Sequence, residues 1–231
     1  MYLGFGFHPY SLIYLLPAVI IALWAQIKVK SAFSKYSRIY ASNNLTGAAA
    51  AQKVLELNGV TGVRIEMVKG SLTDHFDPST NVIRLSETVY GSNSVAAVGI
   101  ASHEAGHAVQ HATNYVPIKL RNSFVPLCNI GTTISFPLLL IGAFMNYGFL
   151  VNLGIILFSF ATLFQLLTLP TEFNASRRAM SAIAGSGMLT EEEQVGAKKM
   201  LTAAAMTYVA ALITSLLNLL RVIAIFSRRR N

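Results

Sequence analysis

Three long stretches of this chain contain no Asp, Glu, Lys or Arg: residues 1–27, 122–171 and 200–220. About 20 consecutive, mostly apolar residues are enough for a helix to cross the hydrocarbon core of a bilayer. The rest of the chain is not rich enough in charge to compensate. Only 12% of all residues are charged, roughly half the fraction found in soluble domains. The pattern excludes an ordinary soluble protein, and its high hydrophobicity excludes a disordered one.

The charge-free stretches predict about four transmembrane helices. The middle stretch is long enough for two of them, and the polar residues 145–148 predict a tight turn between the two. The predicted spans are roughly 8–27, 124–145, 149–169 and 203–226. They divide the chain into a first transmembrane helix (1–29), a soluble half (30–121), a helical hairpin (122–169), a second soluble segment (170–202) and a fourth hydrophobic segment with a basic tail (203–231).

Basic residues beside the spans predict the orientation, because Lys and Arg near span ends mark the cytoplasmic face. All clusters but one agree if the N-terminus is outside and residues 30–120 and 170–202 are cytoplasmic. The exception is the tail 228–230, so either this tail is translocated or the fourth segment is partly buried without crossing. We therefore attribute the net charge of +8 to basic residues beside the membrane spans and not to a nucleic-acid-binding surface. The agreeing clusters are Lys28, Lys30, Lys35 and Arg38; Lys119 and Arg121; and Arg177, Arg178, Lys198 and Lys199.

The first soluble half predicts a small α+β domain. Thr46 is a plausible N-cap for a helix that ends before Gly59. Two alternating, β-branched segments follow, at 63–70 and 81–87, and they predict a short antiparallel sheet. Ser92, Asn93 or Ser94 then caps a helix over about 94–113.

The last of these helices contains the sequence His103-Glu104-Ala105-Gly106-His107. Two histidines four residues apart lie on one helical face, where both imidazoles can reach one tetrahedral Zn²⁺. Glu104 between them is placed as the general base of a metallopeptidase. The alternative is a core helix with incidental histidines, but these polar side chains are costly in so apolar a segment unless something satisfies them.

A catalytic zinc needs a third protein ligand beside a water. Glu172 is the strongest candidate, since it is the only acid between Glu104 and Glu191 and directly follows an apolar span. Pro170 before it suits the first turn of a helix, so Glu172 could instead be an acid that stabilises a helix N-terminus. The single Cys128 excludes a cysteine-rich site. The candidates are Asp74, His75, Asp77, His111 and Glu172.

Three segments carry a resemblance to a known family: His103 to Gln110 (HEAGHAVQ), Thr73 to Pro78 (TDHFDP) and Pro170 to Arg178 (PTEFNASRR). Together they resemble the YugP-type membrane zinc metallopeptidases and, more distantly, the HtpX and Ste24-type gluzincins. The resemblance covers essentially the whole chain. It implies a mostly α membrane protein with a small cytoplasmic zincin-like α+β domain, in the plasma membrane of a bacterium.

The resemblance also implies a set of site residues. The zinc ligands would be His103, His107 and Glu172, one ion per chain, with Glu104 as the base. Ser176 stands where an acid often supports a zinc-binding histidine, and Asn174 stands where relatives are expected to have an acid, so both are candidate supports for the ligands.

Peptide hydrolysis at such a site implies a protein or peptide substrate, most naturally a membrane-associated one. His75, Arg177 and Arg178 are candidates for an oxyanion or substrate contact. The arginines are alternatively membrane anchors, and His75 a surface residue. The strand at 81–87 is a candidate edge strand for aligning the substrate, or simply sheet core. A membrane-complex partner or a homo-oligomer is compatible with the sequence.

Three other readings compete with a peptidase of the membrane surface. An intramembrane protease would usually have an Asp-Gly pair in a later span, and the chain has none. A non-enzymatic zinc-binding subunit or scaffold of a membrane complex would not need Glu104. A transporter would be expected to show an inverted repeat, which the sequence lacks.

Overall fold

The structure, a computed structural model, describes residues 9–227. Within this range the chain forms seven helices and three short strands. The helices are α1 (Pro9–Tyr36), α2 (Gly47–Leu57), α3 (Glu87–Tyr90), α4 (Val95–Ala112), α5 (Val116–Phe144), α6 (Gly148–Ser186) and α7 (Glu191–Ser227). The strands are β1 (Arg64–Val68), β2 (His75–Asp77) and β3 (Val82–Ser86).

The chain divides into two compact units, and four helices run through both. Of the described residues, the apolar unit comprises those up to Ala25, Leu120–Thr168 and those from Thr207 onward. The mixed unit comprises Gln26–Lys119 and Leu169–Met206. The unit boundaries fall inside helices, so α1, α5, α6 and α7 each continue from one unit into the other without an intervening loop.

The helices of the apolar unit account for the charge-free stretches. In the described part of the chain, four helices are long and apolar enough to cross a membrane: α1, α5, α6 and α7. Large apolar side chains point outward from them, and Phe136 and Phe149 are each 64% exposed. Such surfaces are stable against lipid tails but not in water. The chain is therefore a multi-pass membrane protein, as the sequence predicts.

Helices α5 and α6 form the predicted hairpin, joined by the three residues 145–147. Glycines allow their backbones to approach closely. A Cβ on Gly131 would lie 2.9 Å from the Leu157 carbonyl oxygen, and one on Gly142 would lie 2.8 Å from the Val151 nitrogen. Small residues at such contacts are typical of helix pairs in membranes, where close packing replaces the hydrophobic driving force.

Helix α7 is continuous through the whole fourth hydrophobic segment. In the apolar unit its polar contacts include a hydrogen bond from Thr214 Oγ1 to the Ala18 carbonyl at 3.3 Å, and the Thr162 and Ser215 hydroxyls lie 2.9 Å apart. Its residues 203–226 are long enough for a crossing, at about 1.5 Å per residue. The basic tail 228–230 lies outside the described residues.

Helices α2 and α4 form the core of the mixed unit. The predicted N-cap Thr46 is confirmed, since its hydroxyl accepts a hydrogen bond from the Ala49 nitrogen at 3.3 Å. Of the three candidate caps for α4, Ser94 takes the role and accepts from the Ala97 nitrogen at 3.2 Å. Helix α4 is buried on almost every side, so its polar side chains lie in an apolar environment.

The sheet is mixed, with strand order β1-β3-β2. The predicted antiparallel pairing of the two longer strands is wrong: β1 pairs with β3 in parallel, and only β2 is antiparallel to β3. The reason lies in the turn-rich segment between them. There Asp77 accepts from the Ser79 nitrogen at 2.9 Å and the Thr80 hydroxyl at 2.6 Å. This turn folds β2 back onto β3 and leaves the far side of β3 for β1.

Because β3 is paired on both sides, it cannot serve as the edge strand that the sequence offered as a substrate guide. Its residues Val82, Ile83 and Leu85 are all fully buried. The alternative, that this segment is simply sheet core, is the correct one.

Pro170 is not in the first turn of a helix, as the sequence suggested, but inside the continuous helix α6. Glu172 follows it by two residues and is therefore also far from the helix start at Gly148. The reading of Glu172 as an acid that stabilises a helix N-terminus is thereby excluded, since that effect is confined to the first turn.

Candidate metal centre

Helix α4 places His103 and His107 one turn apart on a single face. Their Nε2 atoms lie 3.1 Å apart, and their ring planes are nearly perpendicular, at 85°. Each side chain is 12% exposed. Two imidazole nitrogens therefore converge at a shielded point that can still be reached from outside.

Glu172 joins the two histidines from helix α6. Its Oε2 atom lies 3.3 Å from His103 Nε2 and 3.5 Å from His107 Nε2, and its side chain is 4% exposed. The three side chains form the group of potential metal ligands found among the described residues. Residues separated by 65 or more positions in the chain thus meet within the mixed unit.

Gly106 makes this meeting possible. A Cβ at this position would lie 2.7 Å from the carbonyl oxygen of Ala175 on α6. Any larger residue would push the two backbones apart at a point one residue before His107 and three residues after Glu172. The glycine of the motif is therefore explained by helix packing.

Each histidine is held at its other ring nitrogen. Ser176 Oγ lies 3.1 Å from His103 Nδ1, and Gln110 Oε1 lies 3.0 Å from His107 Nδ1. Contacts of this kind fix the orientation of metal-binding imidazoles. Both rings are thereby held with Nε2 toward Glu172.

A hydrogen-bonded chain continues from Gln110 into α6. Gln110 Nε2 donates to the Thr171 carbonyl at 2.8 Å and to Asn174 Oδ1 at 3.0 Å. Asn174 Oδ1 also accepts from Arg178 Nε at 2.8 Å. Asn174 therefore reaches His107 through Gln110 and not directly.

The three side chains fit a zinc ion. Glu172 Oε2 is a buried carboxylate oxygen that receives no well-formed hydrogen bond, an arrangement that is costly unless a cation balances it. Two ligand atoms bound tetrahedrally to zinc at about 2.0–2.1 Å are separated by roughly 3.3 Å. The three separations here, 3.1, 3.3 and 3.5 Å, surround that value. Two nitrogens and one carboxylate, with a fourth position left open, are the ligands of many catalytic zinc sites.

The electrostatics of the centre favour positive charge. Burial alone would lower the pKa of His107, but the Glu172 carboxylate and, to a smaller extent, Glu104 outweigh it and hold that pKa above its usual value. A positive charge at this point is attracted by the carboxylates of both Glu172 and Glu104.

The sequence profile of a family described as "Putative neutral zinc metallopeptidase" matches residues 11–227. The chain belongs to this zinc metallopeptidase family. It is also 48% identical, over 212 residues, to a "Putative membrane protease YugP" from Bacillus subtilis (strain 168), covering 91% of this chain and 94% of that relative. No solved structure matches the chain. The resemblance to the YugP-type family is confirmed.

The other acidic candidates for a ligand form hydrogen bonds and ion pairs that stabilise the fold. Asp74 accepts from the nitrogen of Ser86 at 2.7 Å and from its hydroxyl at 3.1 Å, although burial raises the pKa of Asp74. Asp77 pairs with Arg84 at 2.7 Å, and this arginine holds the pKa of Asp77 far below its usual range. Both carboxylates stabilise the sheet and its turn.

The two candidate histidines, His75 and His111, also lie outside the group of potential ligands. His75 is exposed, and its Nδ1 lies 2.8 Å from the Thr73 carbonyl oxygen. The ring of His111 lies against Phe76, with centroids 5.8 Å apart. Of the five candidate third ligands, Glu172 is thus the one that the described structure brings to His103 and His107.

Arg177 and Arg178 line an open groove of about 380 Å³. Arg178 is held by Asn174 and lies over the ring of Tyr115, 5.9 Å from its centroid. Arg177 is exposed. The groove lies between α6 and the end of α2, and its other lining residues are Leu57, Asn58, Asn174, Ser181, Ala182 and Gly185.

Gln110 is the residue of this centre that the sequence did not single out. A signal was present, since a glutamine three residues after His107 lies on the same face of an otherwise apolar helix. Its partners on α6 are 61 and 64 residues away in the sequence, and no local sequence pattern predicts a contact across such a separation.

Proposed function

We propose that this protein is a membrane-embedded zinc metalloendopeptidase that hydrolyses peptide bonds at the cytoplasmic face of the membrane. One observation carries the proposal: a buried carboxylate oxygen of Glu172, which receives no well-formed hydrogen bond, faces two imidazole nitrogens. The helix that provides both imidazoles also provides Glu104 between them. This is the donor set of a catalytic zinc together with a base.

His103, His107 and Glu172 would hold one zinc per chain. When bound, the ion would make a water more acidic and polarise the carbonyl of the scissile bond. The Glu104 carboxylate would take the proton from that water and pass it to the leaving amine. Glu104 is only 9% exposed, so little bulk water competes for this proton.

Hydrogen-bond donors near the scissile carbonyl would lower the barrier further. His75, Arg177 and Arg178 remain the candidates for that role, or for binding the substrate. Arg178 is partly committed to Asn174 and Tyr115. The exposed Arg177 has the greater freedom to reach a substrate, while its alternative role is to anchor the chain at the membrane surface.

The position of Glu172 in the chain favours substrates at the membrane surface. It lies on α6 just after Thr168, the last residue of that helix in the apolar unit. Flanking Lys and Arg residues support a cytoplasmic location for the mixed unit, in the plasma membrane of a bacterium. Membrane-anchored polypeptides are the substrate class that such a location serves best.

Metal analysis of purified wild type and Glu172→Ala, combined with a broad peptide-cleavage screen, tests the proposal. We expect about one bound zinc in the wild type, almost none in the variant, and cleavage by the wild type only. Zinc bound without cleavage of any peptide or membrane-anchored substrate would favour the alternative, a non-enzymatic zinc-binding subunit of a membrane complex. Absence of zinc from the wild type would overturn both.

A further inference from the structure

Gln110 is fully buried on α4, three residues after His107. A primary amide has two donors and two acceptor sites, and burial in an apolar helix is tolerated only when most of them are satisfied. The hydrogen-bond partners of the Gln110 side-chain amide belong either to His107 or to α6. The amide therefore bridges the two helices that provide the metal ligands.

The partners of Gln110 determine which way its amide faces. A backbone carbonyl can only accept, so the group 2.8 Å from the Thr171 oxygen must be the Gln110 NH₂. The Gln110 oxygen is then the atom that lies 3.0 Å from His107 Nδ1. Because an amide oxygen can only accept, His107 must carry a proton on Nδ1.

The other end of the chain is fixed in the same sense. A guanidinium can only donate, so the atom of Asn174 that lies 2.8 Å from Arg178 Nε must be its oxygen. That oxygen also accepts from the Gln110 NH₂ at 3.0 Å. Arg178 at one end of this network can only donate, and the Thr171 carbonyl can only accept. The directions of the hydrogen bonds between them are therefore fixed.

A neutral imidazole carries a single N–H. With the proton of His107 held on Nδ1, the lone pair is on Nε2, the atom that faces His103 and Glu172. His103 is held differently, because the Ser176 hydroxyl beside its Nδ1 can either donate or accept. Of the two histidines, His103 and His107, only His107 therefore has its tautomer dictated by its hydrogen-bond partner.

We propose that Gln110 is a positioning residue. It fixes the tautomer of His107 so that the Nε2 lone pair is presented to a metal, and it joins that ligand to helix α6, which bears Glu172. This inference rests on the proposed function, because it concerns the ion that the function requires. The Thr171 carbonyl that orients Gln110 immediately precedes Glu172, so one amide positions ligands from both helices.

The test is metal affinity in the full-length protein, measured with Zn²⁺ and with Co²⁺ as a coloured probe. Gln110→Met keeps the size of the side chain and removes its hydrogen bonds. We expect its affinity for both ions to fall about 10–100-fold, with altered Co²⁺ absorption bands. The matched control is Gln52→Met, at an exposed glutamine of α2, and it should leave affinity and spectrum unchanged.

A folded Gln110→Met variant with wild-type affinity and spectrum would overturn the inference while leaving zinc binding intact. Should that variant not fold, ¹⁵N NMR of histidine in the zinc-loaded wild type tests the tautomer directly. We expect His107 to bind through Nε2 and to be protonated on Nδ1, and binding through Nδ1 would overturn the inference. A wild type that bound no zinc would instead contradict the proposed function.

Discussion

At the scale of single residues, Glu104 is the position at which hydrolysis can be tested separately from zinc binding and folding. It is buried on α4 but is not among the three grouped ligands. We expect Glu104→Gln to keep zinc and fold and to lose hydrolysis by at least about 100-fold, because an amide retains the shape but cannot accept the proton. Zinc analysis and cleavage of a confirmed substrate would measure both properties.

The control for that experiment is Glu192→Gln, the same chemical change at an exposed position of α7. It should retain wild-type cleavage. If Glu104→Gln cleaved the substrate at the wild-type rate, Glu104 would not be the base, and another group would have to take the proton.

Removal of the metal should be visible in stability, because an ion bound only by the folded state stabilises it. With zinc at 100 times its dissociation constant the gain is about 2.7 kcal/mol. We expect a chelator to lower the unfolding temperature of the wild type and to change that of Glu172→Ala little. Equal shifts in the two proteins would show that Glu172 is not a ligand.

Part of the candidate metal centre could be predicted from the sequence, because two of its residues lie close together on one helix. His103 and His107 lie on one face through helix periodicity alone, and the scarcity of acids pointed to Glu172. The roles of Gln110 and Ser176 depend on contacts across 61 and 73 residues. The spacing of Gln110 from His107 shows that the two share a helical face, but it does not show which residues of α6 the amide contacts.

At the scale of helices and strands, the contact of α4 with α6 determines whether the three proposed ligands can meet. The Cβ of alanine at position 106 would lie 2.7 Å from a backbone oxygen, which cannot rotate away. We expect Gly106→Ala to lower both stability and zinc affinity, even though alanine normally favours a helix by about 1 kcal/mol. Thermal unfolding and zinc titration would measure the two effects.

Gly185→Ala is the matched control, since a Cβ at this position of α6 meets nothing within 4 Å. It should leave zinc affinity unchanged and stability equal or slightly higher. If Gly106→Ala behaved like this control, close backbone packing would not be what holds the centre together.

Element types followed from the sequence more readily than their pairing did. All the helices except the four-residue α3, together with the two longer strands, were predicted, because periodicity and caps are local signals. The three residues of β2 lie in a segment dense in turn formers, and nothing local shows that they pair with one side of β3 and leave its other side for β1. Pro170 was similarly misread, since a proline marks a helix start far more often than a helix interior.

At the scale of the whole molecule, the orientation in the membrane decides which proteins the centre can reach. The hairpin of α5 and α6 turns at 145–147, and a two-span hairpin returns the chain to the side from which it left. The basic residues that precede and follow it predict that this side is the cytoplasm. The turn should then be outside, and the mixed unit, with its metal centre, inside.

Cysteine labelling in intact cells tests this arrangement. The native Cys128 is buried, with its sulfur 3.3 Å from the Phe160 carbonyl oxygen, and Cys128→Ala provides an unreactive background. In that background we introduce Ser71→Cys or Asn146→Cys, both at exposed positions. An impermeant maleimide should label position 146 in intact cells and position 71 only after the membrane is opened. The reverse pattern would place the metal centre outside the cell, and cytoplasmic polypeptides could then not be its substrates.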